Sequence, residues 1–426
     1  MITDRKKAAI ITFSRNVNYG GALQEFALYT VLKDEYDVVC VDSYDPMIRA
    51  NSRVVRRSLF TAVFMVLKRF VRLDRSRGDT QKPERDPNRR IDIRQALYTY
   101  VKEGLNQISV ICGDLINYRA RKRLLRNYKD FWKQYLAYTP LYTERELFSG
   151  ACGGFDVYIA GSDQIWNPIK FGLSTVYFLA FPALGARKIS YASSFGNFHF
   201  KDKYMVKKIR SYLTDFSRVS VRESQSVEEL WETCGIYAKV DIDPTLLMDR
   251  EKWIEALDLH TYGSSAPYLL VYLLGSYKRN IRCAKQIARK LGMPVRVLNN
   301  KPLSEFFKSD RQCTYFPEAG PDAFVSMFLN ASFVVTDSFH GTAFSVNFNI
   351  PFVSIESRVP ERVISLLKPM QLTDRIVRPK TEDIECVSME VDFTYAQQVL
   401  RRQREQSLSD LYAAIEGVPA SISAGR

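Results

Sequence analysis

Phe333-Val334-Val335-Thr336-Asp337-Ser338-Phe339-His340-Gly341-Thr342-Ala343 decides how this chain is read, because it joins an apolar strand to a polar turn and a helix start. Phe333 to Val335 have the β-branched and aromatic character of a buried strand, and Thr342 to Phe348 predict a helix. Beyond Asn349 and Pro351 a second apolar strand follows at Phe352 to Ile355. The unit is strand, helix, strand. Its turn lies at the strand's C-terminal end, the edge where open α/β sheets bind ligands. The first amides of the following helix are unpaired donors with partial positive charge, a seat for phosphate or carboxylate. His340 sits in that seat, one of only three histidines in the chain, and imidazole exchanges protons near neutral pH. A histidine that merely caps the turn would fit the same position.

Outward from this stretch, Pro321 to Asn330 predict the helix that feeds the strand, while Tyr268 to Gly275, Asn280 to Leu291 and Val295 to Leu298 predict strand, helix and strand. Residues 266–390 therefore read as one α/β domain. A linker from Asp249 to Ala266 precedes it, one short helix and then Gly263-Ser264-Ser265, and a charged terminal helix, Phe393 to Ile415, follows within 391–426. Residues 1–248 read as a second α/β domain. It opens with a strand at Ala8 to Phe13, a turn at Ser14 to Gly21, a helix from Ala22 to about Lys33 and a strand at Tyr36 to Val41. That turn lacks GxGxxG, so dinucleotide binding is not supported. Gly20 and Gly21 permit close backbone approach, and Asn18 and Gln24 offer amides to a sugar; tight packing alone would call for the same glycines.

Phe155 to Ala160 predict a further strand, ending in Gly161-Ser162-Asp163-Gln164-Ile165-Trp166-Asn167. Asp163 is placed there to bind sugar hydroxyls or take a proton from one, and equally to fix a turn. Strands at Lys188 to Ser193 and Val219 to Val221 flank a helix from Lys203 to Phe216, and Lys239 to Thr245 close the domain. Arg222, at a strand end, is suited to clamp a carboxylate or phosphate in bidentate fashion, or to pair with its neighbour Glu223. Between about 46 and 142 the pattern turns basic, helical and irregular, which reads as an insertion.

Composition narrows the class. With 46% hydrophobic and 25% charged residues over 426 positions, there is apolar material for two cored domains. Seven cysteines without CxxC or a Cys/His cluster argue against a disulfide framework and a zinc site, so a reducing compartment and no metal are expected. No apolar run approaches the roughly 20 residues that span a bilayer, and no cleavable signal follows Met1, so the expected location is cytoplasmic. The net charge of +14 is concentrated between Arg49 and Arg94, around the apolar run Leu59 to Leu67. Such a segment suits the anionic inner face of a membrane, and a solvated basic helix packed on the domain would look the same. No nucleic-acid motif accompanies the charge, so nucleic acid is not an expected partner.

Four segments together resemble the polysaccharide pyruvyl transferase family: Asn18-Tyr19-Gly20-Gly21-Ala22-Leu23-Gln24, Gly161 to Asn167, Val219 to Glu223 with Asp243-Pro244-Thr245, and Asp337-Ser338-Phe339-His340-Gly341. The resemblance, which spans nearly the whole chain apart from the basic helical insertion in the first domain, implies two Rossmann-like domains facing a cleft, as in GT-B glycosyltransferases. It implies phosphoenolpyruvate as co-substrate, with no further cofactor, and a saccharide acceptor, which the basic insertion suggests is lipid-linked. The family's histidine falls on His340 and its donor-binding arginine on Arg222, with Asp163 as candidate base and Asp337 as rival. On the donor side it points to Ser338, Phe339, Gly341, Thr342 and Gly275, and on the acceptor side to Asn18, Tyr19, Gly20, Gly21, Gln24, Ser162 and Gln164. Where family members often carry arginine two positions before the histidine, this chain has Ser338; Arg358 or Arg362 is the cation expected to substitute. A nucleotide-sugar glycosyltransferase of the same architecture and a non-catalytic scaffold in polysaccharide assembly are the alternatives.

Overall fold

The computed structural model describes residues 5–53, 115–183, 185–259, 266–275, 277–298, 312–356, 361–379 and 381–418. The first sheet is built from β1 (Lys7–Ile11), β2 (Asp37–Cys40), β3 (Val157–Ala160) and β4 (Arg187–Ser190), ordered β2-β1-β3-β4. All its pairings are parallel. β5 (Val219–Val221) and β6 (Ala238–Val240) form a parallel pair that continues this sheet through isolated bridges, Ile189 to Arg218 and Ser193 to Val221. Serines complete the join: the Ser190 hydroxyl donates to the Ser220 carbonyl (2.9 Å) and accepts from the Ser220 amide (2.7 Å). The second sheet holds β7 (Leu269–Tyr272), β8 (Val295–Val297), β9 (Cys313–Tyr315), β10 (Phe333–Thr336), β11 (Phe352–Ile355) and β12 (Ile376–Val377). Its order is β12-β11-β10-β7-β8-β9 and it is parallel throughout. That is the Rossmann order, while the first sheet follows the flavodoxin-like one. The expected pair of Rossmann-like domains is present, and in each sheet the strand order reverses where its candidate residues lie. The reversals fall between β1 and β3, beside Asn18 and Asp163, and between β7 and β10, beside Gly275 and His340.

Helix α1 (Tyr19–Leu32) starts three residues before its expected position, because the Asn18 side chain accepts from the Gly21 amide and caps it. Helix α2 (Tyr118–Tyr135) belongs to the basic insertion, and Leu124, Leu125, Tyr128, Phe131 and Trp132 are its buried face. Its apolar side therefore belongs to the core; of its basic residues Arg121 is buried and donates to the Arg53 carbonyl, while Arg119, Lys122, Arg123, Arg126, Lys129 and Lys133 are exposed. The apolar run Leu59 to Leu67 and most of the basic block lie outside the described residues. Among the described residues, no helix is long and apolar enough to cross a membrane.

The short helix expected at the start of the linker is present and packs into the core, while Gly263-Ser264-Ser265 lie outside the described residues. This helix, α3 (Arg250–Ala256), carries Trp253, fully buried between Phe26 of the first domain (5.5 Å) and Phe344 of the second (5.2 Å). One hydrophobic cluster thus runs from α1 through Trp253 into the second domain. The terminal helix α4 (Thr394–Glu416) spans the same junction. At its start Gln397 and Arg404 hydrogen-bond Val346 and Asn347 of the second domain. At its end the Ile415 carbonyl accepts from Arg187, Tyr412 donates to the Val31 carbonyl, and Glu416 pairs with Lys6.

Candidate functional site

Helix α5 (Phe339–Asn347) begins where β10 ends. Ser338 caps it, and Gly341 is required because a Cβ there would stand 2.9 Å from Thr336 Cβ on the strand. The cap spends part of the turn: Ser338 N donates to Thr336 Oγ1, Gly341 N to Ser338 Oγ and Thr342 N to the Ser338 carbonyl. The first-turn amides left for a ligand are those of Phe339 and His340. The Thr342 hydroxyl is also committed, to the Ser338 carbonyl and Ser354.

His340 reaches across to the first domain. Its Nε2 stands 3.6 Å from Asp243 Oδ2, an ion-pair approach longer than a hydrogen bond. The other face of the ring lies against Gly20. Asp243 Oδ2 also accepts from Arg222 Nη1 at 2.7 Å, and its Oδ1 accepts from the Thr245 amide (3.0 Å) and hydroxyl (2.7 Å). Arg222 stacks on Phe339 with its guanidinium carbon 4.6 Å from the ring centre, and its Nη2 is 3.6 Å from Asp163. The structure thus gathers Arg222, Asp163, His340, Phe339 and Gly20 at one junction.

A pocket opens beside this junction, lined by Arg222, Glu223, Asp243, Phe339, Arg362 and Gln403 among others. Arg362 lies on the helix α6 (Glu361–Leu367). Buried side-chain atoms with no hydrogen-bond partner concentrate here: Arg222 Nε and Nη2, Glu223 Oε2, His340 Nε2 and Arg362 Nε. Buried polar atoms are rarely left unsatisfied, so such a concentration marks a site shaped for a polar ligand. Burial pushes the Asp243 carboxyl up, but His340, Arg222 and the Thr245 bond outweigh it and hold it well below the carboxylate range. Burial works against the Arg222 charge, yet Asp243, Glu223 and Asp163 hold it above its ordinary value. For Arg362, burial and the like charge of Arg222 lower it. The two guanidiniums share this buried region with the carboxylates of Asp163, Glu223 and Asp243, which balance their charge.

Other candidate residues are placed elsewhere. Asp337 accepts from the amides of Leu274 (2.6 Å) and Gly275 (2.9 Å) and from Asn280 (2.7 Å), so it staples the turn after β7 to the turn after β10. Gly275 serves that staple. Gln24 is fully buried and donates to Thr12 Oγ1 and the Gly21 carbonyl, and Ser162 donates to the Ala192 carbonyl. Tyr19 stacks on Phe324 and donates to the Ala319 carbonyl, tying the start of α1 to the second domain. Gln164 accepts from Asn167. Gly21 lies against Asn16 and Asn18. Arg358 lies outside the described residues. Sequence reasoning did not single out Asp243 or Glu223 as site residues. The signal for the first was Asp243-Pro244-Thr245, an aspartate capping a turn with proline at its first position. Among the described residues, no group of His, Cys, Asp and Glu could hold a metal ion.

The family model for polysaccharide pyruvyl transferase matches residues 18–358, a span that takes in every residue of this junction. The chain belongs to the polysaccharide pyruvyl transferase family. No curated protein matches it. Among solved structures it is similar to UDP-GlcNAc 2-epimerase from Neisseria meningitidis, at 11% identity and a TM-score of 0.47, covering 96% of this chain and 99% of that one. It is likewise similar to a UDP-glucosyltransferase from Polygonum tinctorium, at 12% identity and a TM-score of 0.43, covering 98% and 100%.

Proposed function

We propose that this transferase moves pyruvate from phosphoenolpyruvate onto two hydroxyls of a sugar in a surface-polysaccharide precursor, forming a ketal. The observation that supports this is the concentration of buried nitrogens without a hydrogen bond from Arg222 and Arg362, which line one pocket, and from His340 at the junction beside it. Phosphoenolpyruvate carries a phosphate and a carboxylate, so its binding calls for more than one cation. Arg222 and the amides of Phe339 and His340 form the clamp. Arg362 supplies the cation that Ser338 does not.

The chemistry needs a proton at the methylene carbon, stabilisation of the cationic carbon that results, attack by one sugar hydroxyl, loss of phosphate and attack by a second hydroxyl. His340 serves as the acid or as the group that stabilises the departing phosphate. Asp163, beside Arg222, takes the acceptor proton. The acceptor approaches along the Asn18 to Gly21 turn and, given the basic insertion, is lipid-linked, with the enzyme resting on the inner face of the membrane.

Phosphate release from phosphoenolpyruvate, measured with lipid-linked and free saccharides side by side, tests the proposal. The expected product is heavier by one pyruvate less water, and His340→Ala lowers turnover by roughly 10²- to 10⁴-fold with unchanged melting. Equal turnover on both acceptors would remove the lipid anchor from the proposal. Binding of a nucleotide sugar but not of phosphoenolpyruvate would replace ketal transfer by glycosyl transfer.

A further inference from the structure

Resting on that donor assignment, we propose that Glu223 is the acid that protonates the methylene carbon of the enolpyruvyl group, leaving His340 to the departing phosphate. Glu223 is buried, ends the segment that carries Arg222, and lines the same pocket as Arg222, Phe339 and Arg362. Its two oxygens differ. Oε1 accepts from the Ser194 hydroxyl at 2.5 Å and lies 3.5 Å from Arg222 Nε, whereas Oε2 is buried with no hydrogen-bond partner. A buried carboxylate oxygen without a hydrogen bond is costly, and a proton on it turns it into a donor beside the pocket.

The neighbouring carboxylate is not equivalent. Both Asp243 oxygens are engaged, by Thr245 on one side and by Arg222 and His340 on the other, which keeps it ionised. The charged groups facing Glu223 are Arg222, from its own strand end, and Arg362, from α6. Burial pushes its carboxyl up, and the two arginines and the Ser194 bond do not fully reverse the shift. An anionic donor entering between the arginines offsets their charge and adds its own negative charge beside Glu223, which drives proton uptake at that carboxyl.

The step balances. The Glu223 O–H bond breaks as a C–H bond forms at the methylene carbon, using the carbon–carbon double-bond pair, and the adjacent carbon becomes cationic. The first acceptor hydroxyl adds there as Asp163 takes its proton and passes it to the departing phosphate, and the proton of the second hydroxyl restores Glu223. The second hydroxyl displaces phosphate, which leaves carrying the proton of the first.

Two measurements on the full chain test this. Calorimetry of phosphoenolpyruvate binding near pH 8, in buffers of different ionisation heat, should show proton uptake by the wild type that is missing in Glu223→Gln. That variant should keep donor affinity and melting temperature while turnover falls by about 10²-fold or more, with Glu223→Asp recovering part. Several results overturn the assignment: no proton uptake by the wild type, the same uptake in Glu223→Gln, undiminished turnover, or a loss of donor affinity that accounts for the whole effect. A wild type that fails to bind phosphoenolpyruvate refutes the donor assignment itself and takes this proposal with it.

Discussion

Replacing Gly20 by alanine puts one methyl group against His340, the proposed catalytic histidine, and the structure sets how much it should matter. The new Cβ would stand 2.7 Å from His340 Cγ and closer still to Nδ1 and Cε1, whereas ordinary contact begins at 3.4 Å. Gly20 sits in the first turn of α1 without a positive φ, so the backbone tolerates alanine and gains about 1 kcal/mol of helix propensity. Overpacking at a buried contact costs about 1–3 kcal/mol, so the net stability change should be small, about 0–2 kcal/mol. The overlap is relieved by moving the imidazole, since the start of α1 is anchored by the Asn18 cap and by Tyr19 on Ala319. Misplacing a catalytic group by about 1 Å can cost roughly 10²-fold in rate. Gly20→Ala should therefore melt near the wild type while losing about 10²-fold in phosphate release. Wild-type turnover would refute this geometry, and so would a collapse in melting temperature large enough to explain the loss.

Two further perturbations report on the scaffold. Glu25 is buried, with Ser14 (2.6 Å) and Tyr138 (2.9 Å) donating to its carboxyl, and burial pushes it from the ordinary 4.5 up to about 7. A carboxyl raised on folding contributes stability in full below pH 4.5 that is lost as pH rises to about 7; the loss is about 3 kcal/mol, and Glu25→Gln should flatten that part of a denaturation-versus-pH curve. Trp253→Ala removes the ring buried between Phe26 and Phe344 and should cost about 3–5 kcal/mol in chemical denaturation; a loss below about 1 kcal/mol would mean that the ring does not join the two cores.

Much of the fold could be read from local pattern. Phe352–Ile355 was found to the residue, because a fully apolar run between proline and a polar turn has one reading in a parallel sheet. Boundaries slipped where capping decides them: Ser338 and Asn18 each draw a helix start three residues earlier than glycine and polar content suggested. The segment around Trp253 was taken for a linker because its helix is short, and nothing local shows that one tryptophan fills a gap between two distant phenylalanines. The candidate site was legible in its parts, His340, Arg222 and Asp163. That Asp243 stands between the first two was not, since β5 and β10 belong to different sheets and only the packing of the two domains brings their ends together.

The return of α4 to the first domain has a consequence for biosynthesis. Lys6 and Glu416 are 410 positions apart, yet their side chains pair at 2.5 Å, and Leu411 and Ile415 fill the same core as Ala8 and Tyr191. A ribosome makes the first sheet long before the helix that covers it, and domains otherwise fold as they emerge. The first sheet therefore keeps part of its apolar face uncovered until α4 has been made, and an apolar surface left open that long is exposed to aggregation. A truncation that trims only the C-terminus would do its damage at the opposite end of the sequence.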